Sequence, residues 1–191
     1  MPKSGKIALI TVFTALTIGL NLSPIKIPAP YAPFLIYQVW EVPIVAAFLL
    51  YGFSVSVLIS IVNTLVLLAI FPGVLLTGPL YNLAAIISML LGLLFSKFLM
   101  RTAIRCFQEF KLKSSLILIV FGIIFRVVIM TLVNWAFLRF PPPIGFSLTE
   151  EAILLSLPLI AFFNATLAFY TILLGHIIAE AVRTRIKIYY T

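Results

Sequence analysis

Charge is what this sequence has least of. Only 9% of its 191 residues are charged, 63% are hydrophobic, and the mean hydropathy is +1.25. No soluble domain of that length can hide so much apolar surface in one core, so a soluble fold is excluded and an all-α integral membrane protein is expected. One cysteine, Cys106, excludes an intramolecular disulfide framework; it lies in a basic segment and reads as an incidental small residue. The single histidine, His176, has no second metal ligand near it and reads as a packed polar residue. No HExxH, GxSxG, P-loop or Cys/His cluster occurs, nor do paired carboxylates inside an apolar run. The chain therefore shows no enzyme signature and no nucleotide site, and uphill transport would need ion coupling or a partner's energy. The net charge of +8 does not point to nucleic acid, because the cations lie between and beyond apolar runs rather than on one soluble face.

Against that background, the stretch SSLILIVFGIIFRVVIMTLVNWAFL, residues 114–138, is apolar and long enough to cross a bilayer, yet it carries Arg126 near its middle and Asn134 two turns later. An Arg at bilayer depth costs at least about 2.5 kcal/mol and must face a bundle interior, a partner or a cavity. It is either part of a site or a structural cation tied to helix-end carbonyls or an acidic neighbour.

Six helices are expected, at about 7–22, 38–52, 54–71, 79–97, 114–138 and 152–182, forming a single membrane domain over 1–191. The first follows Lys3 and Lys6 and is expected to be retained, since no A-x-A-like site precedes a soluble domain. It carries Thr11, Ala15 and Gly19 at four-residue spacing, a pattern that lets another backbone approach, within the bundle or from a second protein. Residues 23–35, SPIKIPAPYAPFL, hold four prolines and cannot continue a helix; an ordered loop is expected, either a lid or an interfacial connector. A break near Tyr51-Gly52-Phe53-Ser54 separates the second and third helices. Phe71-Pro72-Gly73 marks a turn, Pro79 opens the fourth helix, and Thr149, Glu150 and Glu151 open the sixth. With a cytoplasmic N-terminus, Lys3, Lys6, Lys97, Arg101, Arg105, Lys111, Lys113, Arg183, Arg185 and Lys187 all fall inside, against Lys26 and Arg139 outside. The positive-inside rule thus places both termini in the cytoplasm and the two Pro-rich loops outside.

That orientation turns position into depth at about 1.5 Å per helical residue. Glu41, Tyr81, Asn82, Asn134 and Asn164 fall in the outer half, with Arg126 and Asn63 nearer the midplane. Amides offer donors and acceptors, Arg126 a fork of donors, and Tyr37, Trp40, Tyr81, Trp135 and Phe163 stacking faces, a set suited to a small polar or aromatic solute. Glu41 is also explained as a helix N-terminal anion, and each Asn as interhelical glue.

The order of these features resembles the substrate-binding S components of energy-coupling factor (ECF) vitamin transporters, in particular the riboflavin-type branch. The resemblance spans nearly the whole chain. It rests on the Ala15/Gly19 spacing, FLIYQVWEVPIVAAFLLYGF from Phe34, GPLYNLAA from Gly78, FRVVIMTLVNW from Phe125 and LPLIAFFN from Leu157. It implies a non-catalytic, multi-pass cell-membrane protein without a cofactor. Such a protein captures a vitamin near the outer face under a covering first loop and works with a coupling subunit driven by cytoplasmic ATPases. By position, Thr11, Ala15 and Gly19 would contact that partner; Glu41, Asn82, Asn134 and Asn164 would line the pocket with Tyr37, Trp40 and Tyr81, and Arg126 would sit below or beside it. Two positions differ from the pattern: 38–41 carries one acid where an aspartate-rich stretch is expected, and no lysine follows Asn164, where Leu167 stands nearby. Riboflavin is the first candidate, with another vitamin or precursor as the alternative. A non-transporting envelope scaffold and a stand-alone facilitator are the other classes that fit the composition.

Overall fold

The computed structural model describes residues 3–70, 77–103 and 111–186. The Phe71-Pro72-Gly73 turn, Cys106 with its immediate basic surroundings, and Lys187 lie outside the described residues. The helices are α1 (Lys3–Leu22), α2 (Val42–Tyr51), α3 (Phe53–Ile70), α4 (Thr77–Ala103), α5 (Lys111–Phe137) and α6 (Glu150–Ile186), with a hairpin of β1 (Ile27–Ala29) and β2 (Ala32–Tyr37) between α1 and α2. α3, α4, α5 and α6 contain stretches long and apolar enough to cross a membrane, while the apolar part of α1 and the whole of α2 are shorter.

The ordered loop expected from the prolines is a β-hairpin. β1 and β2 are antiparallel, with Ile27 opposite Tyr37, and the register shifts between Pro28 and Ala29. A sheet of two strands has only edges, so Pro28 and Pro33 can sit where a missing N–H costs no ladder bond. Because β2 runs to Tyr37, α2 starts at Val42, later than the sequence pattern suggests, with Pro43 in its first turn. α2 ends at Gly52, whose φ of 93° suits glycine and whose N–H donates to the Phe48 carbonyl at 3.0 Å.

α2 is the centre of the packing. Val42 to Leu49 are all buried, with Ile44, Val45, Ala46 and Ala47 at 0% exposure. A helix hydrophobic all round belongs inside a bundle; here α6 and α3 pack on α2, and α1 touches it from the side. α5, between α4 and α6, shows how one apolar sequence can still carry direction. Its ridge of Leu116, Val120, Ile124, Val128 and Leu132 is exposed, suited to lipid, whereas Leu118, Gly122, Arg126, Met130 and Asn134 are buried. Both ridges repeat every four residues, the spacing of one helical face.

α4 and α5 approach closely at Gly92, where an added Cβ would press into the Phe121 carbonyl. Gly92→Ala should lower stability by about 1–3 kcal/mol, read as a lower thermal midpoint in detergent. Gly19→Ala, with nothing within 4 Å of the added Cβ and a helix-interior position, should not lower it.

Candidate functional site

One end of the bundle holds a cavity of about 850 Å³, within the roughly 300–1,000 Å³ range of small-molecule sites. Helical periodicity assembles its walls. α5 contributes Arg126, Met130 and Asn134, with Leu138 just past its end, α4 Gly78, Tyr81, Asn82 and Ala85, and α6 Ser156, Ile160, Asn164 and Leu167 among others. Gln38, Trp40 and Glu41 enter from the segment leading into α2, while Phe34 to Ile36 of β2 and Phe146 and Leu148 of the α5–α6 connection complete the lining.

Arg126 sits in this wall at 2% exposure and is not a free charge. Its two terminal nitrogens donate to the two carboxylate oxygens of Glu41, one of them at 2.9 Å, and its Nε donates to Asn164 Oδ1 at 3.0 Å. The Met89 sulfur lies 3.8 Å from one terminal nitrogen. Glu41 occupies the N-cap position of α2, but its side chain caps no backbone N–H there; it is committed to the guanidinium. The pair therefore ties the start of α2 to the middle of α5, and Asn164 extends the link to α6. Each partner's side chain is 3% exposed. A planar fork meeting a carboxylate in this way satisfies both groups where water is scarce.

The remaining polar groups are arranged differently. Asn134 Nδ2 donates to the Met130 carbonyl at 2.7 Å and Asn164 Nδ2 to the Ile160 carbonyl at 2.9 Å, which orients both amides along their own helices. The Asn82 side chain forms no hydrogen bond among the described residues. Gln38 Oε1 and the Tyr81 hydroxyl are buried without partners among the described residues. Such groups cost about 1–3 kcal/mol unless something pairs them.

Of the residues singled out by sequence, Trp40, Glu41, Tyr81, Asn82, Arg126, Asn134 and Asn164 line the cavity together. Tyr37 does not. Its hydroxyl joins Tyr31 at 2.6 Å and Thr166 at 2.7 Å, and its ring packs 4.8 Å from that of Phe163, so it fastens the hairpin to α6. Tyr170 does similar work by donating to the Gln38 carbonyl at 2.5 Å. Asn63 also stands apart from the cavity, at 1% exposure and with Oδ1 unpartnered among the described residues. Phe163 lines the cavity; Trp135 does not and stacks under Arg139 at 4.7 Å. His176 Nε2 lies 3.3 Å from Ser115 Oγ. Met130, Ser156 and Ile160 were not singled out, although their four-residue spacing from Asn134 and Asn164 marks the same faces. Thr11, Ala15 and Gly19 are exposed, opposite the buried Thr14, Thr17 and Asn21.

Arg126→Met should cost about 3–5 kcal/mol by leaving Glu41 buried and unpaired, whereas the double variant Glu41→Leu/Arg126→Met should recover most of that loss. Reversible unfolding in detergent checks both. A double variant no more stable than the single would show that the pairing is not what the single change destroys.

No family model and no curated protein matches the chain. Among solved structures it is similar to one described as "Structure and mechanism of the S component of a bacterial ECF transporter", with a TM-score of 0.75, 17% sequence identity, and coverage of 97% of this chain and 99% of that one. The likeness shows the fold: with six helices among the described residues, four of them of membrane length and apolar, this is a multi-pass membrane protein.

Proposed function

We propose that this chain is the membrane-embedded, non-catalytic substrate-binding subunit of an ECF-type importer, capturing a vitamin, riboflavin first, for uptake powered by a coupling subunit and cytoplasmic ATPases. The observation that carries the reading is the cavity of about 850 Å³, lined by amides, a phenol and an indole, in a chain whose fold is that of an S component. Its polar groups match both edges of a heteroaromatic solute, and the Trp40 and Phe163 rings offer it apolar surface.

Orientation supports the same reading. The cavity is lined by the end of α5, the starts of α4 and α6, and the hairpin, while Lys97, Arg101 and Arg183 lie toward the other ends of their helices. With the basic end in the cytoplasm, the cavity lies on the outer side, beneath the hairpin. At the basic end, Arg183 donates to the Leu49 carbonyl at 2.7 Å and Lys97 lies 4.1 Å over the Phe48 ring, so these cations also anchor the close of α2. The exposed stripe of Thr11, Ala15 and Gly19 offers a coupling subunit a face on which a second helix can approach closely.

Two variants separate the two faces. Asn82→Leu should weaken riboflavin binding at least tenfold, about the worth of one lost hydrogen bond, without changing the detergent unfolding midpoint; quenching of flavin fluorescence reads the affinity. Gly19→Leu should keep the affinity and lose co-purification with the coupling subunit and ATPases. The reverse pattern would mean that the faces are exchanged. Wild-type protein that binds no vitamin and co-purifies with no coupling subunit would overturn the proposal.

A further inference from the structure

We propose that Glu41 is a built-in counter-ion that closes Arg126 to anionic ligands, so that the cavity takes an uncharged solute bearing both hydrogen-bond donors and acceptors. This deepens the reading of the cavity as a small-molecule site and rests on it.

Among the described lining residues, the charged side chains are Glu41 and Arg126 alone, and Tyr81 adds a phenol. An Arg facing a cavity would ordinarily mark it for a carboxylate or phosphate, because the guanidinium is always protonated and its fork matches those groups. Here three of the five N–H donors are already committed, including the pair at the end of the fork. Two terminal nitrogens face the two Glu41 oxygens, and Nε faces Asn164. The carboxylate accepts from both terminal nitrogens, as its ionised form does, so the pair contributes no net charge to the wall. A charged ligand entering this apolar site would lose its water and find no free opposite charge, a cost that an uncharged ligand avoids.

What remains available is neutral and two-sided. Asn82 offers a complete amide; among the described residues, Gln38 Oε1 and the Tyr81 hydroxyl have no partner, and Asn134 uses its Nδ2 on Met130 while its Oδ1 makes no hydrogen bond. These groups suit a lactam, imide or amide edge better than an ionised group. Selectivity against charged relatives of the ligand therefore comes from the occupancy of Arg126 by Glu41.

The experiment has two arms on the purified full chain in detergent. The first measures binding of matched uncharged and charged solutes: riboflavin with its 5′-phosphate, nicotinamide with nicotinate, and thiamine and biotin as a cation and an anion. Uncharged members should bind at least about 100-fold tighter than charged ones, the scale expected for burying a charge without a partner. A charged member as the tightest binder overturns the proposal. The second arm needs no knowledge of the physiological solute. Glu41→Ala removes the counter-ion and opens space beside Arg126, so benzoate should raise its unfolding midpoint, whereas benzoate should not stabilise the wild type. Stabilisation of the wild type by benzoate, or a folded Glu41→Ala that gains nothing, overturns the proposal. Should Glu41→Ala fail to fold, Arg126→Ala supplies the mirror test, with benzylamine in place of benzoate and the same two overturning outcomes. Loss of the transporter reading would instead appear as absent co-purification with a coupling subunit, with the charge selectivity of the cavity intact.

Discussion

A charge in the middle of an apolar helix can persist only if the surrounding fold neutralises it, and Arg126 is neutralised by Glu41 in a two-point contact with Asn164 at its side. That requirement constrains three helices at once. The start of α2 must come within reach of mid-α5, and α6 must present Asn164 at the same depth. The ion pair is better regarded as a device of specificity than of raw stability, since well-packed apolar groups in place of a buried pair often do as well or better. Its use here is to fix where three walls of one cavity stand and to leave that cavity without net charge.

The rest of the architecture serves that placement. α2 rises about 15 Å over its ten residues, half of a bilayer core of about 30 Å, so it brings Glu41 to a depth that a full span beginning at the surface would not reach. The hairpin covers the remaining distance on the cavity side, fastened to α6 through Tyr31, Tyr37 and Thr166. At the opposite end, Arg183 and Lys97 hold the close of α2. The short central helix is thus gripped at both ends by charged or hydroxyl side chains and along its length by apolar packing.

Much of this was legible in the sequence because membrane burial makes polar residues conspicuous. Arg126, Asn134, Asn82 and Asn164 stand out against apolar neighbours, and helical rise alone places the three Asn in one half of the bilayer with Arg126 nearer its middle. The pairing of Arg126 with Glu41 was not legible, because a carboxylate at a helix start has a sufficient local explanation in the helix dipole, and nothing local reveals a partner 85 residues away. The hairpin was hidden for a related reason: its prolines exclude helix but do not distinguish an irregular loop from an edge pair of strands. Tyr37 and Asn63 show the limit of reasoning from depth. Each has the right chemistry for a pocket, yet strand geometry turns the Tyr37 hydroxyl to Thr166, and Asn63 belongs to α3, no residue of which lines the cavity.

The central claim is that the cavity is a binding site for an uncharged, vitamin-like solute. Its most direct test is a mass spectrum, with an absorbance spectrum alongside, of the small molecules released when the detergent-purified protein is denatured. The account predicts one uncharged heteroaromatic compound in near-stoichiometric amount, a flavin first, and its depletion from Asn82→Leu purified in the same way. Release of a stoichiometric anion or cation, or equal retention of the compound by Asn82→Leu, would contradict it.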